Sequence, residues 1–592
     1  MKNPTRLFDF ARFQHANFPM DVMMTSKFEG DWVTYSTQSF IDAMDLLSRG
    51  LIALGVQPGD KVALISHNNR TEWNICDNGI LQIGAIDVPI YPTMTEQDYE
   101  YILNHSEAKF CFVSNEDLFR KVNSIKHKAP NLIEVFTFEH VEGARNWREV
   151  LELGKKGNQA EVDQRAAAVK DTDLATLIYT SGTTGLPKGV MLSHRNIASN
   201  VIDSCARLPE VEKGNFRVLS FLPVCHIFER MLHYLYIYQG ATIYFAESLE
   251  TIKEDLNYAK PKMFTAVPRL LEKFYDGIVA KGAAAGGLKS KLFAWAVGLA
   301  LQWEPDGQNG GFYEFKLKIA RKLIFSKVKA ALGLTEIEAV ASGSAALQPR
   351  LARFFNGAGI PVYEGYGLTE TSPVISVNTM NSPGMIRIGC VGKPIANVEV
   401  RIEADGEITC KGPNVMMGYY KDQEKTDEVL KNGWFHTGDI GEISADNFLK
   451  ITDRKKEMFK TSGGKYIAPQ LIENALKESL FIEQAMVVGD GQKHPSALIV
   501  PAFDAIKEWC SRHDIPYNGV EETLQDERII NRINQDIDRL MERFGQWERV
   551  KKVQFLQEPF TIEAGELTPT MKLKRKPIMQ RYEALIAKIY AD

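Results

Sequence analysis

Asp173-Leu-Ala-Thr-Leu-Ile-Tyr-Thr180, continued by Ser181-Gly-Thr-Thr-Gly-Leu-Pro-Lys-Gly189, is the stretch that decides the fold. Its first half is an apolar run with the composition of a buried strand. Its second half is a Gly, Ser and Thr loop that ends near Lys188. Glycine lets backbone N–H groups approach an anion, while hydroxyls and a lysine add further donors. The stretch therefore predicts a strand that leads into a phosphate-binding loop.

Two alternatives apply to this loop. A plain surface loop has the same Gly, Ser and Thr composition, so composition alone leaves that alternative open. A Walker loop is excluded because no Gly-Lys-Ser/Thr ends the segment.

Strand-like and helix-like segments alternate on both sides of this stretch, over the first two-thirds of the chain. An amphipathic segment at Thr71–Ile83 and another helical segment at Pro268–Val279 separate apolar strand-like runs. Such alternation favours an α/β fold with mostly parallel sheets. The predicted strands are Lys61–Ile65, Ala85–Ile90, Arg217–Phe221, Ala241–Phe245, Met263–Ala266 and Ile337–Ala341.

The pattern changes after Asn397. Two hairpins are predicted, with turns at Asp405-Gly406 and Asp446-Asn447, and they indicate a β-rich subdomain. A charged segment follows at Asp453–Lys460, and Pro469 can occupy the first turn of a helix. We predict a large domain over residues 1–452 and a small α+β domain over residues 453–592.

The composition is that of an ordinary globular protein, with 44% hydrophobic and 24% charged residues. Basic residues number 70 and acidic residues 75, so the net charge of −5 provides no global field for nucleic acid. The seven cysteines form no C-x-x-C pair, which argues against a zinc site or a disulfide framework. These features, without a signal-peptide run or a membrane span, predict a cytoplasmic protein.

Further motifs occur in the chain in the order that is typical of one family. Together with the loop, they make the sequence resemble the adenylate-forming superfamily, which includes acyl-CoA synthetases, luciferases and peptide-synthetase adenylation domains. The resemblance covers residues 61–575. Its motifs are Phe221-Leu-Pro-Val-Cys-His226, Ser342-Gly-Ser-Ala-Ala346, Tyr363-Glu-Gly-Tyr-Gly-Leu-Thr-Glu370, Thr437-Gly-Asp439, Asp453-Arg-Lys-Lys456 and Leu567-Thr-Pro-Thr-Met-Lys-Leu-Lys-Arg575.

The resemblance implies which residues bind ATP. Tyr366 would pack on adenine, Thr369 would contact the α-phosphate, and Glu370 would hold Mg²⁺, for which a carboxylate beside phosphate oxygens is well suited. Asp439 would accept hydrogen bonds from both ribose hydroxyls. The remaining residues of the predicted ATP site are Thr180, Ser181, Gly182, Thr183, Thr184, Gly185, Lys188, Gly343, Ser344 and Arg454.

Other residues would serve catalysis and the two further substrates. Lys572 matches the family's catalytic lysine, although Pro569-Thr-Met precedes it where Ser-Gly is commoner and Lys574 and Lys576 lie close by. His226 would lie near the acyl carboxylate, although a lone histidine among aromatic residues is more often a core residue. Lys456 would be the hinge of a mobile C-terminal domain. Gly463 and Gly464 would border the channel for coenzyme A.

The implied activity is ATP-dependent formation of an acyl-adenylate from a fatty acid, followed by transfer to coenzyme A. Gly367 stands where acetate-using relatives have Trp, so we expect open space for a long acyl tail, and the motifs look most like long-chain fatty acid–CoA ligases. Three alternatives remain: an acyl-AMP ligase that loads a carrier protein, a non-catalytic nucleotide-binding homologue and a luciferase-like oxygenase. The short Thr371–Ile388 segment favours coenzyme A, and the set of Glu370, Asp439, Arg454 and Lys572 argues against a dead homologue.

An extra Gly/Ala-rich and then apolar stretch at Gly282–Trp303 fits a long-chain enzyme. Because Lys289 and Lys291 precede the apolar run, peripheral docking at a membrane surface is one interpretation of this stretch. A packed helix is the other.

Overall fold

The computed structural model describes residues 2–28, 30–180, 186–248, 250–562, 564–568 and 571–591. The chain divides into two compact units. The first comprises Met1–Val400, Thr409–His436 and Ala445–Leu449. The second comprises Arg401–Ile408, Thr437–Ser444 and Lys450–Asp592.

One sheet of the first unit contains the predicted strand before the loop, observed as Leu174–Thr180. Most neighbouring strands in this sheet are parallel, and the strands from Lys188 and Gly418 are antiparallel. Its central strands are buried on both faces, which explains their continuous apolar runs. In spatial order the strands are Gly418–Tyr419, Lys188–Ser193, Leu174–Thr180, Ile86–Ile90, Lys61–Ile65, Ala108–Val113, Glu134–Thr137 and Arg145–Asn146.

A second sheet of the same unit is also parallel in its interior and antiparallel at its edges. The four strands predicted here are found, with bounds shifted by no more than two residues. In spatial order the strands are Lys393–Pro394, Val374–Val377, Val362–Gly367, Ala339–Ser342, Met263–Ala266, Phe216–Ser220, Ala241–Phe245, Met24–Phe28 and Asp31–Tyr35.

Helices connect and cover these strands. Among the described residues no helix is both long and apolar enough to cross a membrane. The α-helices of the first unit are Asp9–Asn17, Thr37–Ala53, Thr71–Gln82, Glu96–Ser106, Glu116–Ile125, Trp147–Gly154, Gln159–Ala168, His194–Cys205, Ile227–Gln239, Ile252–Ala259, Pro268–Ala284, Gly287–Ala300, Gly311–Ala320, Ser326–Ala331, Pro349–Gly357 and Gln423–Val429.

The second unit packs helices on a small sheet of Ile482–Val488, Ser496–Pro501 and Val553–Phe555. A short hairpin pairs Phe459–Lys460 with Tyr466–Ile467. Pro469 begins its helix, as predicted. The α-helices are Pro469–Leu476, Phe503–Arg512, Val520–Thr523, Glu527–Met541, Arg575–Arg581 and Glu583–Tyr590.

Residues 399–454 contain the strands that flank the two predicted turns. At the first turn, the Gly406 N–H donates to the carbonyl of Glu403 at 2.9 Å, and the Glu403 N–H donates to the carbonyl of Glu407 at 2.9 Å. Asn447 has a φ of 67° at the second turn. The strands are Glu399–Ile402, Glu407–Lys411, Leu430–Lys431, Trp434–Ile443 and Leu449–Arg454.

The helix Thr71–Gln82 differs from the prediction that it is amphipathic, because it is buried on all sides. It contacts strands of both sheets of the first unit. Its polar side chains meet polar partners there instead of water. The Asp77 carboxylate is bonded to Arg230, and Asn74 lies 2.9 Å from the Nδ1 of His233.

A buried charge cluster surrounds Arg230, on the helix Ile227–Gln239. Its guanidinium lies 2.6 Å from the Asp77 carboxylate and 3.0 Å from that of Asp87, and it donates to the Thr176 hydroxyl at 2.8 Å. Both carboxylates and the guanidinium are at most 1% exposed. Burial raises the pKa of Asp87, and the neighbouring Arg230 guanidinium opposes that shift by favouring the charged carboxylate.

We expect Arg230→Met to destabilise the protein by about 3–5 kcal/mol, because it leaves buried acidic groups without their cation. The matched control is Arg120→Met, which removes a guanidinium from an exposed pair with Glu116 and should cost only about 0–1 kcal/mol. Thermal unfolding of both variants measures the difference. Equal losses would show that the cluster around Arg230 contributes no more than a surface pair.

Candidate functional site

The base of the predicted phosphate loop is a pair of antiparallel strands in the first unit. Thr180 lies directly opposite Lys188 in their register. Residues Ser181, Gly182, Thr183, Thr184 and Gly185 lie outside the described residues. The Lys188 ammonium lies 4.9 Å from the ring centroid of Tyr419. The structure therefore gives the loop a fixed base with a lysine at its C-terminal end.

Glu370 lies in a short 3-10 turn, Thr369–Thr371, which contacts the strand that begins at Lys188. The Tyr419 hydroxyl donates to the Glu370 carboxylate at 2.8 Å. Burial and the Glu370 charge raise the pKa of Tyr419, so the hydroxyl keeps the proton that it donates. Tyr419 thus contacts both the lysine and the carboxylate that the sequence assigns to ATP and Mg²⁺.

Tyr419 was not among the site residues predicted from the sequence. The position of this residue is fixed by backbone pairing with Val190 and by a bond from its N–H to the Thr426 hydroxyl at 2.9 Å. The available sequence signal, a tyrosine after Gly418, is too common to indicate a site.

The residues around Glu370 fit a magnesium ion that is bound mainly by a nucleotide. Among the described residues there is no group of three or more His, Cys, Asp or Glu side chains that could hold a metal. Magnesium typically takes one or two carboxylates and completes its shell with phosphate oxygens and water. One fixed carboxylate beside the base of a phosphate loop satisfies that requirement.

The residues predicted to contact adenine lie at the same end of two neighbouring strands in the second sheet. The strands Ala339–Ser342 and Val362–Gly367 are parallel neighbours, so Gly343, Ser344 and Tyr366 lie at their C-terminal ends. Tyr366 is buried. A Cβ on Gly343 would lie 3.3 Å from the Phe228 ring, which is a tight contact.

A buried glutamate holds these two strand ends together. The Leu347 N–H donates to the Glu364 carboxylate at 3.0 Å. Burial raises the pKa of Glu364 to about 7. The bond fixes the segment after Ser344 relative to the strand that carries Tyr366.

The expectation of open space at Gly367 is wrong. A Cβ built on this residue would lie 1.7 Å from the carbonyl oxygen of Pro373 and 2.6 Å from its carbonyl carbon. Both atoms are backbone, so no side-chain rotation relieves the clash. Gly367 is required for close packing of the chain against Pro373, and a side chain there would disrupt the strand before it reached a substrate.

His226 is the N-cap of the helix Ile227–Gln239. The Phe228 N–H donates to its Nδ1 at 3.2 Å, so Nδ1 carries no proton and the neutral ring is protonated at Nε2. The loop before the helix is held by Asn69, which donates to the Leu222 carbonyl at 2.7 Å and accepts from the Val224 N–H at 3.0 Å. The structure therefore gives His226 a helix-capping role through Nδ1.

In the second unit, the predicted ribose residues lie together. Arg454 Nε is 3.3 Å from Asp439 Oδ1. The Asp439 N–H donates to the Thr437 hydroxyl at 3.1 Å, which fixes the Thr437-Gly-Asp439 turn. The paired carboxylate and guanidinium can form charge-assisted hydrogen bonds with two neighbouring hydroxyls.

The predicted hinge and glycine loop also lie in the second unit. Lys456 is exposed in a turn after the strand Leu449–Arg454, and the Glu457 N–H donates to the Arg454 carbonyl at 2.9 Å. Gly464 has a φ of 75° at the tip of the hairpin from Phe459 to Ile467, where glycine relieves backbone strain. The backbone conformation alone therefore explains why residue 464 is glycine, and no ligand is needed to explain it.

Two hydrogen bonds join Lys572 to Thr568. The Thr568 N–H donates to the Lys572 carbonyl at 2.8 Å, and the Lys572 N–H donates to the Thr568 hydroxyl at 3.0 Å. Arg575 anchors the segment, with its guanidinium 3.2 Å from Glu457 and 2.5 Å from Glu473. Lys572 is half-buried and Lys576 is exposed.

The first unit has a mostly parallel α/β sheet in which one strand leads to the Gly/Ser/Thr segment, and the second unit pairs Asp439 with Arg454. Both features agree with the predicted class, a nucleotide-binding enzyme. The family model "AMP-binding enzyme" matches residues 12–420, and "AMP-binding enzyme C-terminal domain" matches residues 457–592. The chain belongs to the AMP-binding enzyme family, and the predicted resemblance is confirmed.

Curated relatives match over nearly the whole chain. "Long-chain-fatty-acid--CoA ligase FadD15" of Mycobacterium bovis is 35% identical over 98% of this chain and 96% of its own length. "Long-chain-fatty-acid--CoA ligase ACSBG2" of Xenopus laevis is 32% identical over 96% of this chain and 82% of its own. "Long chain acyl-CoA synthetase 7, peroxisomal" of Arabidopsis thaliana is 32% identical, with coverage of 95% and 82%.

Solved structures share the fold. An anthranilate CoA ligase, AuaEII, in complex with anthranoyl-AMP aligns with a TM-score of 0.73 at 19% identity, over 99% of this chain and 100% of that one. A Mycobacterium tuberculosis fatty acyl CoA synthetase aligns with a TM-score of 0.64 at 19% identity, over 98% and 99%. The predicted α/β fold with a separate smaller domain is confirmed.

We expect His226→Ala to lose both the helix cap and any contact with the acyl carboxylate, whereas His226→Asn keeps a good cap and lacks Nε2–H. Loss of the cap should cost about 1 kcal/mol of stability in the Ala variant only. The KM for the fatty acid should rise in both variants. Steady-state kinetics measure the KM, and thermal unfolding measures the loss of stability. A wild-type KM in the Asn variant would show that His226 only caps the helix and does not contact the fatty acid.

Proposed function

We propose that this chain is a long-chain fatty acid–CoA ligase that forms an acyl-adenylate from a fatty acid and ATP and then transfers the acyl group to coenzyme A. The observation that carries the proposal is 35% identity to a relative of that name over 98% of the chain. The side chains to which we assign the reaction are Lys188, Glu370, Asp439, Arg454 and Lys572.

In the first half-reaction, a carboxylate oxygen attacks the α-phosphorus of ATP, the bond to the β-phosphate breaks and pyrophosphate leaves. We assign the phosphates to the loop and Lys188, adenine to Tyr366 and the ribose to Asp439 with Arg454. Lys572 would stabilise the charge that develops during attack. When bound at Glu370, Mg²⁺ would neutralise charge on the phosphate oxygens.

In the second half-reaction, the thiolate of coenzyme A attacks the acyl carbonyl carbon and AMP leaves. We propose that residues 453–592 form a mobile domain that pivots at Lys456 between the two steps. Gly463 and Gly464 would then border the pantetheine chain. The exposure of Lys456 in a turn supports this role, because hinges are commonly found in loops or at the ends of elements.

A carrier-protein acyl-AMP ligase and a luciferase-like oxygenase share the adenylation step. The short segment between Thr371 and Ile388 and the full-length match to CoA ligases favour coenzyme A as acceptor. The cytoplasm is the compartment we propose, because all seven cysteines are free thiols. Incubation with acids from acetate to long-chain fatty acids, ATP and CoA tests the proposal, and failure to form any acyl-CoA would overturn it.

We expect Lys572→Ala to lower acyl-adenylate formation by about 10²–10³-fold, because charge stabilisation of this kind has that magnitude. Thioester formation from supplied acyl-AMP should stay near wild type. Lys576→Ala is the control at an exposed neighbouring lysine. Pyrophosphate release measures the first step, and a normal rate in the Lys572 variant would move the role to another lysine.

We expect Tyr419→Phe to weaken MgATP binding by about tenfold, because a hydrogen bond to a charged group contributes about 1.5–3 kcal/mol. Calorimetric titration with ATP, with and without Mg²⁺, measures the effect separately from turnover. ATP affinity should fall only in the titration that contains Mg²⁺, and of the two half-reactions only adenylation should slow. Tyr420→Phe is the matched control, because its ring neighbours His105 and Lys421 instead of Glu370. Equal weakening with and without Mg²⁺ would contradict a role through Glu370.

A further inference from the structure

Exposed apolar side chains concentrate on two consecutive helices of the first unit, Gly287–Ala300 and Gly311–Ala320, and on the turn Arg321–Phe325 that continues the second helix. Leu288 and Phe312 are each 73% exposed, far more than apolar residues of a packed helix. In the described part of the chain, six of the exposed large hydrophobic residues fall within residues 288–323. They are Leu288, Leu292, Trp295, Phe312, Phe315 and Leu323. We call this set the apolar surface.

The spacing on the first helix makes a continuous stripe. Leu288, Leu292 and Trp295 follow each other at intervals of four and three residues, so they share one face. Phe312 and Phe315 share a face of the next helix in the same way. Other positions of the two helices are packed, since Ala296, Ala300 and Leu317 are fully buried. The helices are therefore fixed to the core by one side and present leucine and aromatic side chains to solvent on the other.

Basic residues surround the apolar surface. Residues 287–331 contain eight Lys or Arg and three Asp or Glu, a local charge of +5 in a chain of net charge −5. The acidic Glu304 is already paired with Arg353 at 2.6 Å. Lys289, Lys291, Lys318, Lys322 and Lys327 are exposed. The Lys316 ammonium lies 4.2 Å from the Phe312 ring centroid, which is a cation–π contact.

We propose that the apolar surface docks on a lipid bilayer that carries anionic headgroups. Exposed leucines and aromatic rings enter the headgroup–acyl boundary, while lysines on the same helices pair with anionic lipid. The charge of this segment is opposite in sign to that of the whole chain, so attraction to such a bilayer is local. The proposal rests on the proposed function in one respect: long-chain acids partition into bilayers, where this surface would bring the enzyme to its substrate.

Flotation of the full chain with vesicles tests the surface without any substrate. One vesicle is phosphatidylcholine alone and the other is phosphatidylcholine mixed with phosphatidylglycerol. We expect the chain to float with the mixed vesicles, less so at high salt, and weakly with phosphatidylcholine. The variant Leu292→Glu with Trp295→Glu should lose this binding by roughly tenfold or more.

Matched controls separate the surface from general effects. Trp547→Glu places the same charge at a tryptophan that is 52% exposed, against 38% for Trp295, outside the apolar surface. A second comparison tests the role of charge. The double variant Lys289→Glu and Lys291→Glu changes two lysines of this segment, and the double variant Lys121→Glu and Lys253→Glu changes two exposed lysines elsewhere as its control. Thermal unfolding confirms that each variant is folded. Failure of the wild type to float on either vesicle, or equal loss in the patch and control variants, would overturn the proposal.

Kinetics with two acids distinguish this proposal from the proposed function. For a long-chain acid carried in mixed vesicles, kcat/KM should fall in the Leu292 and Trp295 variant, whereas for a medium-chain acid free in solution it should not change. Ligase activity without flotation would contradict the docking proposal and leave the proposed function in place. Flotation without any ligase activity would contradict the proposed function and leave the docking proposal in place.

Discussion

The buried guanidinium of Arg230 is the interaction on which the first unit depends, because it joins parts of both sheets. Its helix follows the strand Phe216–Ser220 of the second sheet. Its partners are Asp77 on the helix between the sheets, and Asp87 and Thr176 on strands of the first sheet. The strand that bears Thr176 ends at the phosphate loop, and the helix that bears Arg230 begins at His226. One side chain thus connects the strand that ends at Thr180 with the helix that begins after His226.

The same helix carries other polar groups inward. Glu229 accepts from the hydroxyls of Ser220 and Thr265 at 2.6 Å each, and His233 lies 2.7 Å from the Ser220 hydroxyl. Asn69 also donates to Ser220, at 2.7 Å. Because each member has a polar partner, the network can be buried without the large cost of unpaired groups. A polar face between two sheets fixes their relative position more sharply than apolar packing, which tolerates sliding.

The strands and hairpins could be predicted from the sequence because they depend on local composition: apolar runs, Asp-Gly and Asp-Asn turns, and Pro469 at a first helical turn. The polar partners could not. Arg230 and Asp77 are separated by 153 residues, and Tyr419 and Glu370 by 49, so no local pattern relates them. Thr71–Gln82 looked amphipathic because its polar residues were assumed to meet water. Gly367 was misinterpreted because the obstacle to its side chain, the Pro373 carbonyl, depends on how the following turn folds back.

The buried cysteines limit the chemistry that the first unit can perform. Cys225 directly precedes His226, an arrangement that in another setting would suggest a nucleophile beside its base. Here burial raises the pKa of Cys225, and burial likewise raises that of Cys111 and Cys205, so these thiols stay protonated and unreactive. The His226 Nδ1 is occupied by the Phe228 N–H and therefore cannot accept a proton from the neighbouring thiol. The residues around His226 can offer hydrogen bonds to a carboxylate, and an acyl group that becomes a thioester must receive its sulfur from the second substrate.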